Sequence, residues 1–191
     1  MEGHNEVSFR ERRYKTSTEK DIKIRLLDWT DLNGITKFHG ELYDINYFDS
    51  PPNTTLEVRY VLRNLEAREL AGGLSLVAEH QKEIIAEATL ETSIFGIPVQ
   101  KHIGKIWIVV LPEWRRLGIG TELLTALEHY AIRNGILTLW THFERDCEIE
   151  EKFYCEKHKY VKTGLIKKAL IRQNKPKDHL IVQKELPRGG I

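Results

Sequence analysis

The sequence predicts an α/β domain built on a mixed, mostly antiparallel central sheet flanked by helices. Three observations carry that prediction. Residues 105–135 read as strand, glycine turn and helix in series. Two pairs of strand-like segments, 74–80 with 84–94 and 163–173 with 180–186, are joined by short polar turns, which makes each pair antiparallel. The helix of the first stretch stands between strand segments 106–110 and 136–140, and strands connected through a helix run parallel.

The chain has 191 residues, enough for one domain with a sizeable core over 21–191 and a polar tail or added edge element over 1–20. With 29 Lys and Arg against 28 Asp and Glu the formal charge is +1, so no bulk field draws the protein to nucleic acid or to an anionic membrane. No apolar run reaches the roughly 18 residues of a spanning helix, and the opening MEGHNEVSFRERRYK lacks the apolar centre of a signal peptide. A cytoplasmic protein is expected. Cys147 and Cys155 read as free thiols of a reducing compartment. Cys155 and His158 have helical spacing, but two ligands do not make a zinc site, so no metal is expected. A homodimer is left open.

In chain order, Ile22, Ile24 and Leu26 alternate with charged neighbours, giving a half-buried strand over 21–29. Thr30 or Asp31 can cap a helix running through Ile35, Phe38, His39 and Leu42, though Gly34 and Gly40 lower its intrinsic propensity. Residues 43–53 break periodicity at Pro51-Pro52 and form an aromatic loop with Tyr43, Tyr47 and Phe48, packed on the core or facing substrate. Leu56, Val58, Tyr60, Val61, Leu62, Leu65 and Leu70 suggest a second helix, stopped by Gly72-Gly73. The first hairpin turns at Gln81-Lys82-Glu83, and Phe95-Gly96-Ile97-Pro98 turns the chain into strand 106–110, closed by Pro112.

After Gly120, Leu123, Leu124, Leu127, Tyr130 and Ala131 have helical period, and Asn134-Gly135 ends the helix. Strand 136–140 follows. A helix from Asp146 or Cys147 to Lys159 then buries Ile149 and Phe153, before the final hairpin turns at 174–178. Between strand and helix, Arg115-Arg116-Leu117-Gly118-Ile119-Gly120 combines two arginines, two glycines and the unpaired N–H groups of a helix start. That combination makes a seat for an anion, phosphate above all.

The run Val110-x-Pro112-x-x-Arg115-Arg116-x-Gly118-Ile119-Gly120-x-x-Leu123-Leu124 resembles the acetyl-CoA pyrophosphate motif of the GNAT superfamily of N-acetyltransferases. The order of elements over about residues 21–186 is similar to the whole GNAT fold. The resemblance implies transfer of acetyl from acetyl-CoA to a primary amine, on a small molecule or a protein, by direct attack in a ternary complex. It implies further that backbone N–H groups of Arg115, Arg116, Leu117, Gly118, Ile119 and Gly120 hold the pyrophosphate, and that main-chain atoms of Ile108 and Val110 meet the pantetheine and thioester. Arg116 is a phosphate ligand or a solvated charge, and Thr121 bonds phosphate or caps the helix.

A second segment, Phe153-Tyr154-Cys155-Glu156-Lys157-His158-Lys159-Tyr160, looks like the family's L/F-Y-E-K-x-G-F run. Tyr154 then takes the place of the tyrosine that protonates the departing thiolate, a transfer that phenol and thiol pKa values permit. Lys159 stands where the family usually has glycine, and Glu150 or Glu151 where alanine is common. The position used by some members for the base, eleven residues before Arg115, is Gly104. His102, Glu87, Glu91 and His142 remain as candidates, with none singled out. Two other functions stay open: a non-catalytic acyl-CoA-binding or regulatory module, which the missing base favours, and a Rossmann dinucleotide site. The second fits poorly, because Leu123 stands where that fingerprint needs its third glycine.

Overall fold

The computed structural model describes residues 9–44, 54–92, 102–172 and 174–187. Its strands are β1 (Arg12–Lys15), β2 (Asp21–Leu26), β3 (Leu74–His80), β4 (Glu83–Thr92), β5 (Ile103–Val110), β6 (Thr138–Glu144), β7 (Val161–Arg172) and β8 (Lys175–Glu185). The helices are α1 (Leu32–Asp44), α2 (Thr54–Ala71), α3 (Ile119–Arg133) and α4 (Glu148–Glu151), the last running on into a π-helical turn over Lys152–Lys157. The strands form one sheet in the order β1-β2-β3-β4-β5-β6-β8-β7. Every neighbouring pair is antiparallel except β5 and β6, the two joined through α3. Part of the polar N-terminal stretch is thus an edge strand, with Tyr14 opposite Ile22.

Strand alternation divides the core in two. Ile22, Ile24, Leu76, Ala86, Ala88, Leu90 and Ile106 meet the buried side of α3, where Leu123, Leu124 and Leu127 are fully covered. Val77, Ile84 and Val109 point the other way and meet Ile35, Phe38 and Leu42 of α1 and Val61 of α2. The β3–β4 turn places Gln81 at φ 50° and Lys82 at φ 71°, positive at both central positions as tight hairpins require.

Several expectations are corrected. The cap ahead of α1 is Asp28, whose carboxylate accepts from Thr30 N–H, while Asp31 accepts from Asp28 N–H and is held by Arg25 in a two-pronged pair at 2.7 and 2.8 Å. Tyr43 belongs to α1 and is exposed, since the helix runs to Asp44; Tyr47, Phe48 and the turn at 95–98 lie outside the described residues. Leu56 and Leu62 face solvent, because the buried stripe of α2 is Glu57, Val61 and Asn64, two of them polar and partnered by His39 and Ser75. The strand after α3 begins at Thr138 rather than Ile136, whose N–H still bonds Ala131 O in the helix exit. Ile149 is exposed, because the π turn shifts the inward face of the last helix to Tyr154.

Candidate active site

The site begins where β5 and β6 part. Their ladder has three rungs, Ile103↔Thr138, Gly104↔Leu139 and Lys105↔Trp140, and ends there while both strands continue. Leu111 N–H bonds Ile85 O across to β4. By antiparallel alternation Val109 shares that bonded register, and the main-chain groups of Ile108 and Val110 turn the other way, into the gap toward β6. Their side chains pack into the α3-side core, so the backbone is what these two residues offer.

Beyond β5 a short 3-10 turn, Pro112–Trp114, leads to the glycine loop. Arg115 Nε donates to Val110 O at 2.9 Å, so this half-buried guanidinium ties the loop to the end of the strand. Arg116 is exposed at φ 63° and Gly118 sits at φ 88°, the left-handed region that costs a residue with a Cβ and is open to glycine. Leu117 and Ile119 turn their side chains into the core. The first bond of α3 runs from Glu122 N–H to Gly118 O, and no side chain caps the helix. The N–H groups of residues 118–121 therefore have no helical partner and, with the helix dipole, favour an anion.

Thr121 neither caps nor stands alone: its Oγ1 accepts from Lys157 Nζ at 2.8 Å and lies 3.4 Å from His158 Nε2. Lys157 and His158 thus join the helix start, a neighbourhood the sequence reading missed. The only hint was their place directly after the tyrosine segment. A Cβ built on Gly120 would touch the Phe153 ring at 3.4 Å, which shows how closely the π turn packs on this end of α3. Such turns, one residue wider than α-helix, recur at functional sites.

Tyr154 lies within that turn and is buried, with its ring among Phe143 of β6, Phe153 and Tyr160. One helical turn before it, at the end of α4, stands Glu150. Burial raises its carboxyl pKa, against the pull of the Arg115 and Arg172 charges. Lys159 adopts φ 63°, the left-handed region that a glycine enters without strain.

The structure separates the candidate bases. Gly104 faces the core, where a Cβ would stand 2.5 Å from Leu90 Cδ1 and 2.9 Å from Leu139 Cδ2, leaving no room for a carboxylate. Glu87 is fully buried, accepting from the Tyr60 hydroxyl at 2.7 Å beside His39 at 3.3 Å. Glu91 pairs with Arg63 at 3.1 Å. His102 is exposed at the start of β5, away from the carboxyl ends, and its carbonyl accepts from Leu137 N–H and Thr138 N–H. His142 stands on β6 just beyond the last rung.

Cys147 and Cys155 are half-buried thiols, each with its pKa raised chiefly by burial. Among the described residues no three metal-ligating side chains cluster, and no helix is long and apolar enough to cross a membrane.

Comparison with known proteins places this geometry. An N-acetyltransferase of Archaeoglobus fulgidus, itself uncharacterized, is 29% identical over 122 residues, 62% of this chain and 81% of its own length. A phosphinothricin acetyltransferase of Sinorhizobium meliloti, solved in complex with acetyl-CoA, superposes with a TM-score of 0.73 at 21% identity, covering 88% of this chain and 90% of the other. A ribosomal-protein-alanine N-acetyltransferase of Brucella melitensis gives 0.71 at 19% identity, over 85% and 99%. The model of the acetyltransferase (GNAT) family matches residues 39–160, which include the glycine loop and Tyr154, and the chain therefore belongs to that family.

Proposed function

We propose that this acetyl-CoA-dependent N-acetyltransferase transfers acetyl to a primary amine by direct attack in a ternary complex. The observation that carries the reading is the parting of β5 from β6 beside an uncapped helix start, a gap with main-chain donors along one wall and an anion seat at its end. The residues fit CoA. Four N–H groups and Lys157 suit the pyrophosphate, Arg115 fixes the loop that presents them by holding the Val110 carbonyl, and the turned-out backbone of Ile108 with the N–H of Val110 suits the amides of a pantetheine arm. Acetyl-CoA supplies an acyl carbon activated as a thioester. Tyr154, held by three aromatic neighbours, donates a proton to the sulfur as it leaves.

The acceptor is an amine of a small molecule or of a protein; one solved relative is named for each kind. The crowding at Gly104 favours a second reading, a CoA-binding module without turnover. Both make CoA raise the melting temperature while NAD does not, because a ligand of the folded state alone stabilises it. Thiol release from acetyl-CoA over a panel of small amines and peptide N-termini separates the two, and its absence with every amine rejects the enzyme reading.

A further inference from the structure

Beside the gap, the face of the sheet opposite α3 carries a pair of histidines. His142 on β6 and His179 on β8 meet Nδ1 to Nδ1 at 2.8 Å, with ring centroids 5.0 Å apart. Lys105 and Trp140 form the last rung between β5 and β6, and Lys105 Nζ lies 5.7 Å from the Trp140 ring centroid, so the two share a face. Two residues further on, His142 stands on that same face at the point where the strands separate. Phe143 points through to the opposite face and stacks on Tyr154. Thus the gap has an imidazole on one face of the sheet and a phenol on the other.

We propose that His142 is the catalytic base that takes the proton of the acceptor amine, and that His179 is a positioning residue that orients it. The contact between the rings holds one hydrogen. With that hydrogen on His142 Nδ1, the lone pair of this half-buried ring lies on Nε2, for which no hydrogen bond is seen among the described residues. His179 then keeps its own hydrogen on Nε2, a buried atom with no hydrogen-bond partner among the described residues. As the amine nitrogen bonds to the acyl carbon, its proton passes to His142 Nε2. The C–S bond breaks, and the sulfur takes a proton from the Tyr154 hydroxyl. His142 afterwards loses its proton to water and Tyr154 regains one, so amide and thiol are the only net products.

The surroundings keep the pair neutral at physiological pH. Burial first, then the Lys105 ammonium on β5 and the His179 ring on β8, hold the His142 pKa down to about 4. His179 is lowered as well, by burial and by Arg172 on β7, against the opposing charge of Glu144 on β6. With its pKa lowered, His142 is unprotonated across the neutral range and so free to receive the proton once bonding has made the nitrogen cationic.

The inference rests on transfer to an amine, and its test begins without one. Imidazole proton resonances of the enzyme free of CoA should show His142 titrating near pH 4, and moving upward in Lys105→Met and in His179→Asn. With acetyl-CoA and a responding amine, His142→Gln should lower kcat by about 10²- to 10⁴-fold with little change in KM for acetyl-CoA and in melting temperature. The acid limb of kcat should move upward together with the resonance in Lys105→Met, which leaves both histidines in place. A kcat for folded His142→Gln equal to that of the parent, or an acid limb that stays put while the resonance moves, overturns the assignment. Absence of thiol release by the parent with every amine overturns the transfer reading, and the assignment with it.

Discussion

Phe143 and Tyr154 lie with ring planes 14° apart and centroids separated by 5.9 Å, one on the last residues of β6 and the other in the π turn that follows it. That stack joins the far wall of the gap to the turn carrying the phenol. It makes the position of Tyr154 depend on β6 as much as on its own helix.

Replacing Tyr154 by Phe keeps the ring and its three aromatic contacts. Melting should shift by no more than the roughly 1.5 kcal/mol of one hydrogen bond. Turnover should fall by about 10²- to 10⁴-fold, with CoA affinity little changed. Turnover equal to the parent, with chemistry shown to be rate-limiting, would make Tyr154 a packing residue only.

Gly120→Asp sets a carboxylate against both the Phe153 ring and the anion seat. CoA binding measured by calorimetry should disappear while the fold persists. Arg116→Ala should weaken binding only modestly, since Arg116 is exposed and the N–H groups carry the seat. Undiminished CoA affinity in Gly120→Asp would put the pyrophosphate elsewhere.

Gly104→Glu restores the carboxylate that some members of the family carry, yet it should not raise turnover. The added Cβ falls within 2.9 Å of buried Leu139 and closer still to Leu90. Overpacking alone costs about 1–3 kcal/mol, and a buried charge adds to it. The melting temperature should drop; a stable variant with faster turnover would contradict the packing argument.

Lys159→Gly should act in the opposite direction. At φ 63° a lysine bears a left-handed penalty that glycine lacks, so stability should rise by about 1 kcal/mol, or roughly 2–4 °C in melting. No rise would mean that the Lys159 Nζ bond to Glu156 O, at 2.7 Å, compensates the strain.

His39 is buried between Glu57, at 2.6 Å, and Glu87, at 3.3 Å. Burial opposes its charge, the two carboxylates outweigh burial, and the net pKa is raised. A raised histidine contributes stability that is full below the usual value of about 6.5 and lost as pH climbs through the folded value. His39→Gln should therefore cost most near pH 6, on the order of 3–5 kcal/mol, with the deficit narrowing toward pH 9. A deficit constant over that range would show that His39 is not charged in the fold.

Local chemistry made the glycine loop readable in the sequence: a strand of β-branched residues, a proline stop, Gly118 at a left-handed angle and a leucine-periodic helix are each set within a few neighbours. The same holds for the first hairpin and for the helix end at Asn134-Gly135, whereas the turn expected over 174–178 is largely strand, since β8 begins at Lys175 and pairs Pro176 with Ile171. Buried polar residues followed another rule. Glu57 and Asn64 look like surface positions of α2 because periodicity counts only apolar side chains, and their partners His39 and Ser75 come from α1 and β3. Glu87 stood among the candidate bases until Tyr60 and His39, distant in sequence, enclosed it. Gly104 reads as a missing base, but the positions of Leu90 and Leu139 show that no carboxylate fits there. His142 and His179, 37 residues apart, become a pair only through the β6–β8 register. Strand and helix follow from period and composition over a few residues, whereas the ionisation and reach of a side chain follow from what long-range pairing places beside it.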